Sequence, residues 1–272
     1  MSIKLAVAVM HGIGTQTEDF AEPTISSLSD RLANLGKDPA EVAWARLYWA
    51  DILRDRQEAY LRRARAANPM DWNRVRNIVV DGLGDAAAYQ FVQGRPSGTY
   101  RTIHARVRDR IHQLYVGDLS SQPVPLVVLA HSLGSHIVSS YIWDSQQGYD
   151  SGADPASSEF ERMQWLACMV TFGSTIPLFT FAHHEVVPIT LPGSRLPPTA
   201  IARPRWLNFY DQDDVLGYPL KPLSPEYDAT VDADTEINAG GFGVSGTPLS
   251  HNGYWMDNDF LTPVAGLLAT FL

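Results

Sequence analysis

The segment Leu126–Tyr141, which reads LVVLAHSLGSHIVSSY, constrains the fold most because one serine joins an apolar run to a helical pattern. The run Pro125–Ala130 has apolar residues at both parities, as in strands that are buried on both faces. Such strands belong to parallel sheets covered by helices on each side. Small residues at Ala130 and Gly134 flank Ser132, as a sharp turn from strand to helix requires. The segment therefore predicts an α/β architecture.

Short apolar runs alternate with helical patterns along the rest of the chain. The predicted strands are Lys4–Met10, Val42–Tyr48, Pro125–Ala130, Trp165–Phe172 and Trp206–Tyr210. Besides the helix after Ser132, the predicted helices are Thr24–Leu35, Tyr100–Tyr115 and Asp259–Leu272. This alternation favours a mostly parallel sheet flanked by helices. No internal repeat or Gly/Ser linker divides the 272 residues, so we expect a single domain, 1–272.

Composition and charge restrict the classes of protein that fit this sequence. The chain is 45% hydrophobic and 19% charged, as in compact folded domains. Its net charge of −9 argues against a nucleic-acid partner, since neutralising phosphates needs a basic surface. The single Cys168 excludes an internal disulfide. No stretch reaches the roughly 18 apolar residues of a membrane span, and Leu5–Met10 is too short for a signal peptide, so we expect a cytoplasmic protein.

Two segments do not fit the minimal alternation of strands and helices. Residues 51–93 are helical in pattern and rich in arginine, and we interpret them as a cap that presents Arg62, Arg63 and Arg65 to an anionic headgroup or interface. Residues 174–204 are rich in proline and apolar residues and are a candidate lid or acyl pocket. The alternatives are an amphipathic helix packed on the core and an ordinary surface loop. Transient contact with a membrane or micelle surface is therefore a hypothesis, and the oligomeric state stays open.

Ser132 is the candidate nucleophile. AHSLG matches the G-x-S-x-G nucleophile elbow with Ala130 in place of the first glycine, and the following helix directs its positive end toward the serine. A serine hydroxyl is a weak nucleophile at neutral pH and needs a base that an acid orients. The alternative is that Ser132 is an ordinary N-cap of the helix.

Partners for Ser132 follow in the chain order that accompanies this elbow motif on its usual fold, an acid and then a histidine. We favour Asp214 as the acid because the apolar residues after it would anchor its loop, with Asp213 as the alternative and Asp211 as a turn residue. Of the eight histidines only His251 follows the acid, so it is the candidate base. The histidines interpreted as packing, capping or lid residues are His131, His136, His183 and His184.

The stretch VMHGIGTQ, at the end of the first strand, supplies backbone N–H groups beside two glycines. We predict that the Ile13 and Leu133 amides form the oxyanion hole, which binds the negative charge that develops on a carbonyl oxygen. The same stretch lacks the G-x-G-x-x-G pattern of dinucleotide sites, and the loop after Tyr210 lacks the glycine and glutamate of an EF-hand. We therefore expect no cofactor and no metal, and the residues that bind substrate stay unassigned.

The chain resembles the α/β-hydrolase superfamily through HGIGTQ, AHSLGS, NFYDQDDVL and SHNGYW, which occur in this order between positions 11 and 255. Locally it also resembles the intracellular phospholipases with a DDHD domain, through Thr171–Thr180, Asn208–Leu223 and His251–Asp259. The second resemblance implies that Asp214 is the acid and that acylglycerophospholipids are a candidate substrate class. The chain departs from that family at Val215, where the family has proline, and it is far shorter.

Together these features predict an enzyme, a serine hydrolase of the esterase or lipase type that cleaves carboxylic esters through an acyl-enzyme. Small-molecule or lipid esters, acylglycerols and phospholipids among them, are the expected partners. Two alternatives stay open. One is a thioesterase or amidase with the same triad, and the other is a catalytically silent hydrolase-fold protein that binds a small molecule or a partner.

Overall fold

The computed structural model describes residues 2–13, 16–67, 84–89, 91–92, 95–148, 157–181, 184–200, 205–240 and 248–272. The strands are β1 (Leu5–Met10), β2 (Val42–Leu47), β3 (Phe91–Val92), β4 (Arg95–Pro96), β5 (Leu126–His131), β6 (Leu166–Phe172), β7 (Trp206–Tyr210) and β8 (Ala233–Glu236). Six of them pair in parallel in the order β2-β1-β5-β6-β7-β8, and β3 and β4 form a separate antiparallel pair.

Helices cover both faces of the large sheet. They are α1 (Glu22–Asn34), α2 (Asp51–Ala67), α3 (Gly98–Gln113), α4 (Leu133–Gln147), α5 (Ile176–Thr180), α6 (Pro225–Thr230) and α7 (Asn258–Ala269). On one face α1 and α7 pack together and bury Leu28, Leu32 and Phe260. On the other face α3 and α4 contribute Ile103 and Ile137 to a second core.

The side chains of β5 divide between these two cores, because successive residues of a strand point to opposite faces. Val127 and Leu129 lie in the core with α1 and α7, whereas Leu126, Val128 and Ala130 lie in the core with α3 and α4. Burial on both faces explains why the central strands are apolar at both parities. A parallel sheet between helical layers, with a strand–turn–helix at its centre, is the α/β-hydrolase fold, so the predicted fold class is confirmed.

The five predicted strands are all present, and their ends differ from the prediction by at most one residue. The sequence analysis missed β8, which reads ADTE and has no hydrophobic pattern. Its position depends on hydrogen bonds instead: the Asp234 carboxylate accepts the Asn208 side-chain N–H at 2.7 Å and the main-chain N–H groups of Leu220 and Lys221. Pattern-based reasoning cannot find a strand of this kind, because the signal it uses is apolar burial.

Of the proposed cap, residues 51–93, the structure describes α2, a helical turn at residues 84–88 and the short strand β3. Leu53 and Leu61 on α2 are buried, so one face of this helix packs on the protein. Residues 68–83, 90 and 93 of that segment lie outside the described residues, as do 182–183 and 201–204 of the proposed lid. Within the described ranges, no helix combines the length and the apolar composition that crossing a bilayer requires.

Among the described residues, three histidines are almost completely buried: His11, His104 and His131. Burial lowers the pKa of His11 to about 4 and the pKa values of His104 and His131 to about 3. The three imidazoles are therefore neutral in the folded protein at neutral and mildly acidic pH. In the unfolded chain each takes up a proton near the ordinary histidine pKa of about 6.5.

We expect the free energy of unfolding to be at its full value above about pH 6.5 and to fall steeply below it, because the unfolded chain then binds protons that the folded protein excludes. Each buried histidine contributes a slope of about 1.4 kcal/mol per pH unit, down to its own folded pKa. Urea unfolding over this pH range measures the slope. His104→Gln should reduce it by one histidine's share, and His184→Gln at an exposed position is the matched control. An unchanged slope in His104→Gln would contradict the assignment.

Candidate active site

Ser132 occupies a strained turn between β5 and α4. Its φ of 53° and ψ of −131° lie in a region that side-chain-bearing residues rarely adopt. Its N–H donates to the Phe172 carbonyl of β6 at 3.1 Å, which ties the turn to the neighbouring strand. A Cβ at Gly134 would collide with the His11 carbonyl, and one at Gly12 would collide with the Ser132 side chain. Glycine is required at both positions because the loop after β1 passes directly against the turn.

The Ser132 side chain does not cap α4, which excludes the ordinary N-cap alternative. Its Oγ lies 2.7 Å from Nε2 of His251 instead. On the other side of the ring, His251 Nδ1 lies 2.9 Å from both carboxylate oxygens of Asp214. A carboxylate accepts, so Nδ1 carries the hydrogen and Nε2 presents its lone pair to Ser132. The structure thus brings together the three side chains that the sequence analysis favoured.

Asp214 is held in place by donors other than His251. The Leu216 N–H donates to Oδ1 and the Tyr254 hydroxyl donates to Oδ2, each at 2.9 Å. Burial alone would raise the pKa of the Asp214 carboxyl, but the hydrogen bond and charge of His251, together with these two donors, hold that pKa below its ordinary value. A Cβ at Gly217 would collide with Oδ2, so the loop needs glycine there. The carboxylate is therefore charged and fixed in orientation at neutral pH.

The other two aspartates of the loop face elsewhere. Asp211 accepts the Asp213 N–H and the Ala239 N–H, each at 2.7 Å, so it shapes the turn after β7. Its own N–H donates to the Tyr254 hydroxyl at 2.9 Å. Asp213 contributes its main chain to this turn, and the carboxylate that contacts His251 belongs to Asp214. Geometry thus distinguishes the two acids that the sequence left as alternatives.

His11 fixes the loop that carries the predicted oxyanion donor, and the sequence analysis did not single it out. Its Nδ1–H donates to the Gly12 carbonyl at 2.7 Å, and its Nε2 accepts the Trp49 N–H at 3.1 Å. The Trp49 indole stacks on the imidazole and donates to the His11 carbonyl. Ile13 follows Gly12 at the turn, and Leu133 is the first residue of α4. The roles of their amides stay predictions.

The remaining histidines have separate environments. His131 donates its Nε2–H to the His251 carbonyl at 2.7 Å and packs against Phe172. His136 stacks on Phe179 with ring centroids 4.1 Å apart. His184 is exposed, and position 183 lies outside the described residues. Among the described residues, no group of three or more His, Cys, Asp or Glu side chains could hold a metal ion.

The chain shows little similarity to known proteins. No protein-family model and no curated protein matches the chain. Among solved structures, the chain is similar to a YdeN-like hydrolase from Pectobacterium atrosepticum, with a TM-score of 0.42, 10% identity, and coverage of 99% of this chain and 93% of that one. It is also similar to LpqC, a poly(3-hydroxybutyrate) depolymerase from Bordetella parapertussis, with a TM-score of 0.33, 13% identity, and coverage of 98% and 70%. TM-scores of this size carry no weight, so the fold assignment depends on the strand order and on the turn at Ser132.

We expect Ser132→Gly to be more stable than Ser132→Ala by about 1–2 kcal/mol, because both variants lose the hydroxyl but only glycine relieves the positive φ. Urea unfolding of the two variants measures the difference. At Ser26, an exposed position within α1, the order should reverse by about 1 kcal/mol, since alanine is the better helix former. The same order at both positions would contradict the strained turn.

Proposed function

We propose that this protein hydrolyses carboxylic esters, with Ser132 as the nucleophile, His251 as the base and Asp214 as the acid that orients the base. The observation that carries the proposal is the continuous line of contacts from Ser132 Oγ through His251 to the Asp214 carboxylate, at 2.7 and 2.9 Å. Three separate segments of the chain supply these groups. Their alignment leaves the His251 lone pair directed at a hydroxyl on a strained turn, which is the arrangement that nucleophilic attack by serine needs.

The reaction proceeds in two halves. As Ser132 Oγ bonds to the ester carbonyl carbon, its proton passes to His251 Nε2, and the imidazolium is stabilised by the Asp214 carboxylate. The carbonyl oxygen becomes an oxyanion that the Ile13 and Leu133 amides stabilise. Collapse of this intermediate breaks the bond to the alkoxide oxygen, which takes the proton from Nε2 and leaves as the alcohol. Water then attacks the acyl carbon and gives a proton to His251 Nε2. As the bond between the acyl carbon and Ser132 Oγ breaks, Nε2 passes this proton to Oγ, and the carboxylic acid leaves.

The surroundings of Ser132 favour esters with an apolar acyl group. His136 lies one helical turn after Ser132, and its ring stacks on Phe179 of α5. Next to Phe179 in sequence, Leu178 is exposed, and Phe181 just after α5 is 84% exposed. The hydroxyls of Ser135 and Ser174 are 2.8 Å apart and join the starts of α4 and α5. An acyl chain that leaves Ser132 along α5 would cover these exposed apolar side chains.

Access to the serine supports a role for the two inserted segments. Ser132 is fully buried, so part of the surrounding chain must move before an ester carbonyl reaches Oγ. The arginine-rich α2 lies beside the loop after β1, since the Arg54 guanidinium donates to the Gln16 carbonyl. We propose that residues 51–93 and 174–204 act as cap and lid over the site. The DDHD resemblance adds phospholipids as a candidate substrate class, although no family model matches the chain.

Hydrolysis of p-nitrophenyl esters from acetate to palmitate tests the proposal. We expect Ser132→Ala to abolish turnover and Asp214→Asn to lower kcat by about 10⁴, because the asparagine no longer supports the reactive tautomer of His251. Asp213→Asn, one residue away and with the same change of charge, is the matched control and should retain kcat within about threefold, because its side chain does not orient the base. Equal losses in Asp213→Asn and Asp214→Asn would contradict the assignment of the acid.

The same triad would also serve a thioester or an amide, and a silent binding protein would share the fold. Labelling by a fluorophosphonate separates these outcomes, because only an activated serine reacts. Labelling of Ser132 without ester turnover would indicate that the substrate is a thioester or an amide. A folded protein that neither labels nor hydrolyses any ester would contradict the enzymatic proposal. Heat-denatured protein is the control for non-specific labelling.

Exposed arginines at the end of α2 form the basis of a proposed contact with anionic lipid surfaces. Arg62, Arg63 and Arg65 are all exposed in the last two turns of the helix. Cationic side chains at a helix surface attract anionic lipids electrostatically, and dissolved salt weakens this attraction.

We expect the triple change of Arg62, Arg63 and Arg65 to Gln to reduce hydrolysis of esters in anionic vesicles, with no change for water-soluble esters, because only the lipid surface needs these charges. Activity on anionic and neutral vesicles at two salt concentrations measures the effect. The matched control replaces Lys4, Arg46 and Arg101, which are exposed outside the proposed cap and lid, by Gln. Equal losses in the two triple variants would show an effect of net charge and not of this surface.

A further inference from the structure

We propose that His131 is a positioning residue. Its Nε2–H donates a hydrogen bond to the main chain of His251 and holds it in the position from which the His251 imidazole reaches Ser132. The inference rests on the proposed function, since it assigns a residue to the same reaction. It concerns a histidine that touches none of the reacting atoms. The sequence analysis interpreted His131 as a packing, capping or lid residue, and its hydrogen bond to His251 gives it a more specific role.

The contact itself is direct. His131 Nε2 lies 2.7 Å from the carbonyl oxygen of His251. A carbonyl can only accept, so this nitrogen carries the hydrogen and donates it. His131 is the last residue of β5 and Ser132 follows it, so two consecutive residues contact His251. Ser132 contacts the imidazole while His131 contacts the main chain, and the base is therefore attached to the turn at two points.

The residues around this hydrogen bond hold the His131 ring in place. The His131 ring is buried against Phe172, Tyr254 and Trp255. A Cβ at Gly173 would lie 3.3 Å from Nε2, so a glycine there leaves room for the ring. Packing on several sides limits the rotation of the imidazole, so its donor stays directed at the carbonyl.

The His131 ring must also remain uncharged next to the base. Its centroid lies 4.9 Å from that of His251, and Asp214 and His11 are the other titratable groups whose charges act on it. Burial lowers the pKa of His131 to about 3, so it stays neutral while His251 carries the proton taken from Ser132. A second cation at this distance would oppose formation of the imidazolium. A neutral donor is therefore suited to this position, and a lysine or arginine would not be.

The effect on rate follows from geometry. His251 lies in a short turn, Pro248–Asn252, and not within a long helix or strand. Proton transfer needs the base within about 0.5 Å of its productive position, and a displacement of about 1 Å can reduce the rate by about 10²-fold. The hydrogen bond from His131, at the end of β5, anchors this turn to a strand that is buried along its whole length. Loss of the donor should therefore lower kcat and leave binding of the ester unchanged.

The test compares His131→Gln with His131→Met, two unbranched side chains of similar size. Glutamine can place an N–H near the position of Nε2, whereas methionine has no donor. We expect His131→Met to lower kcat for a p-nitrophenyl ester by about 10- to 100-fold with KM unchanged, and His131→Gln to recover most of that loss. Thermal unfolding of both variants measures the loss of ring packing that they share.

A second readout does not need turnover. The proton on Nδ1 of His251, held by Asp214, should give a far-downfield resonance in the proton NMR spectrum. We expect it to persist in His131→Gln and to broaden or disappear in His131→Met, both in the Ser132→Ala background. If His131→Met does not fold, His131→Asn, whose amide is too short to reach, replaces it in both experiments.

The outcomes separate the two proposals. Equal kcat and equal spectra for His131→Gln and His131→Met would overturn the role of the hydrogen bond, whether both are active or both impaired. If the wild type neither hydrolyses esters nor reacts with fluorophosphonate, the proposed function fails. The NMR comparison would still decide whether His131 positions His251.

Discussion

The close approach of three loops at the carboxyl end of the sheet is the constraint on which the rest of the structure depends. β1, β5 and β6 are neighbours in the sheet, so the loops that follow them must share one small volume. Ser132 fits there only with a positive φ, and Gly12 and Gly134 fit only because they lack side chains. Strain of this kind costs on the order of 1–3 kcal/mol and persists because buried strands on both sides hold the turn.

The charged Asp214 carboxylate and the neutral imidazoles of His11 and His131 determine the electrostatics of this volume. The Asp214 carboxylate accepts hydrogen bonds from His251, Leu216 and Tyr254, and these donors stabilise its negative charge. His11 and His131 lie nearby, but burial keeps them neutral. In the proposed reaction, an imidazolium formed at His251 would lie next to one anion, the Asp214 carboxylate, and would meet no cation at His11 or His131. The same burial makes the fold sensitive to acid, because neutral histidines in the interior oppose protonation.

The sequence predicted the parallel sheet and the three side chains that meet at Ser132 because these depend on local signals. Apolar runs at both parities mark β1 and β5, and the order of the elbow, acid and histidine marks Ser132, Asp214 and His251. It could not predict β8, whose polar residues are held by the hydrogen bonds of Asp234. Residues such as Tyr254 and His11 were also missed, because their partners lie far away in the chain and no local pattern marks a hydrogen bond between distant segments.

Tyr254 shows why such distant partners matter for the site. Its hydroxyl accepts the Asp211 N–H and donates to Asp214, so one oxygen joins the turn after β7 to the catalytic acid proposed here. Burial and the neighbouring carboxylate raise the pKa of Tyr254, which keeps the hydroxyl protonated and able to donate. Tyr254 also lies three residues after His251. One short segment, from His251 to Tyr254, therefore carries the base and also contacts the acid. A displacement of this segment would move His251 and the donor that holds Asp214 together.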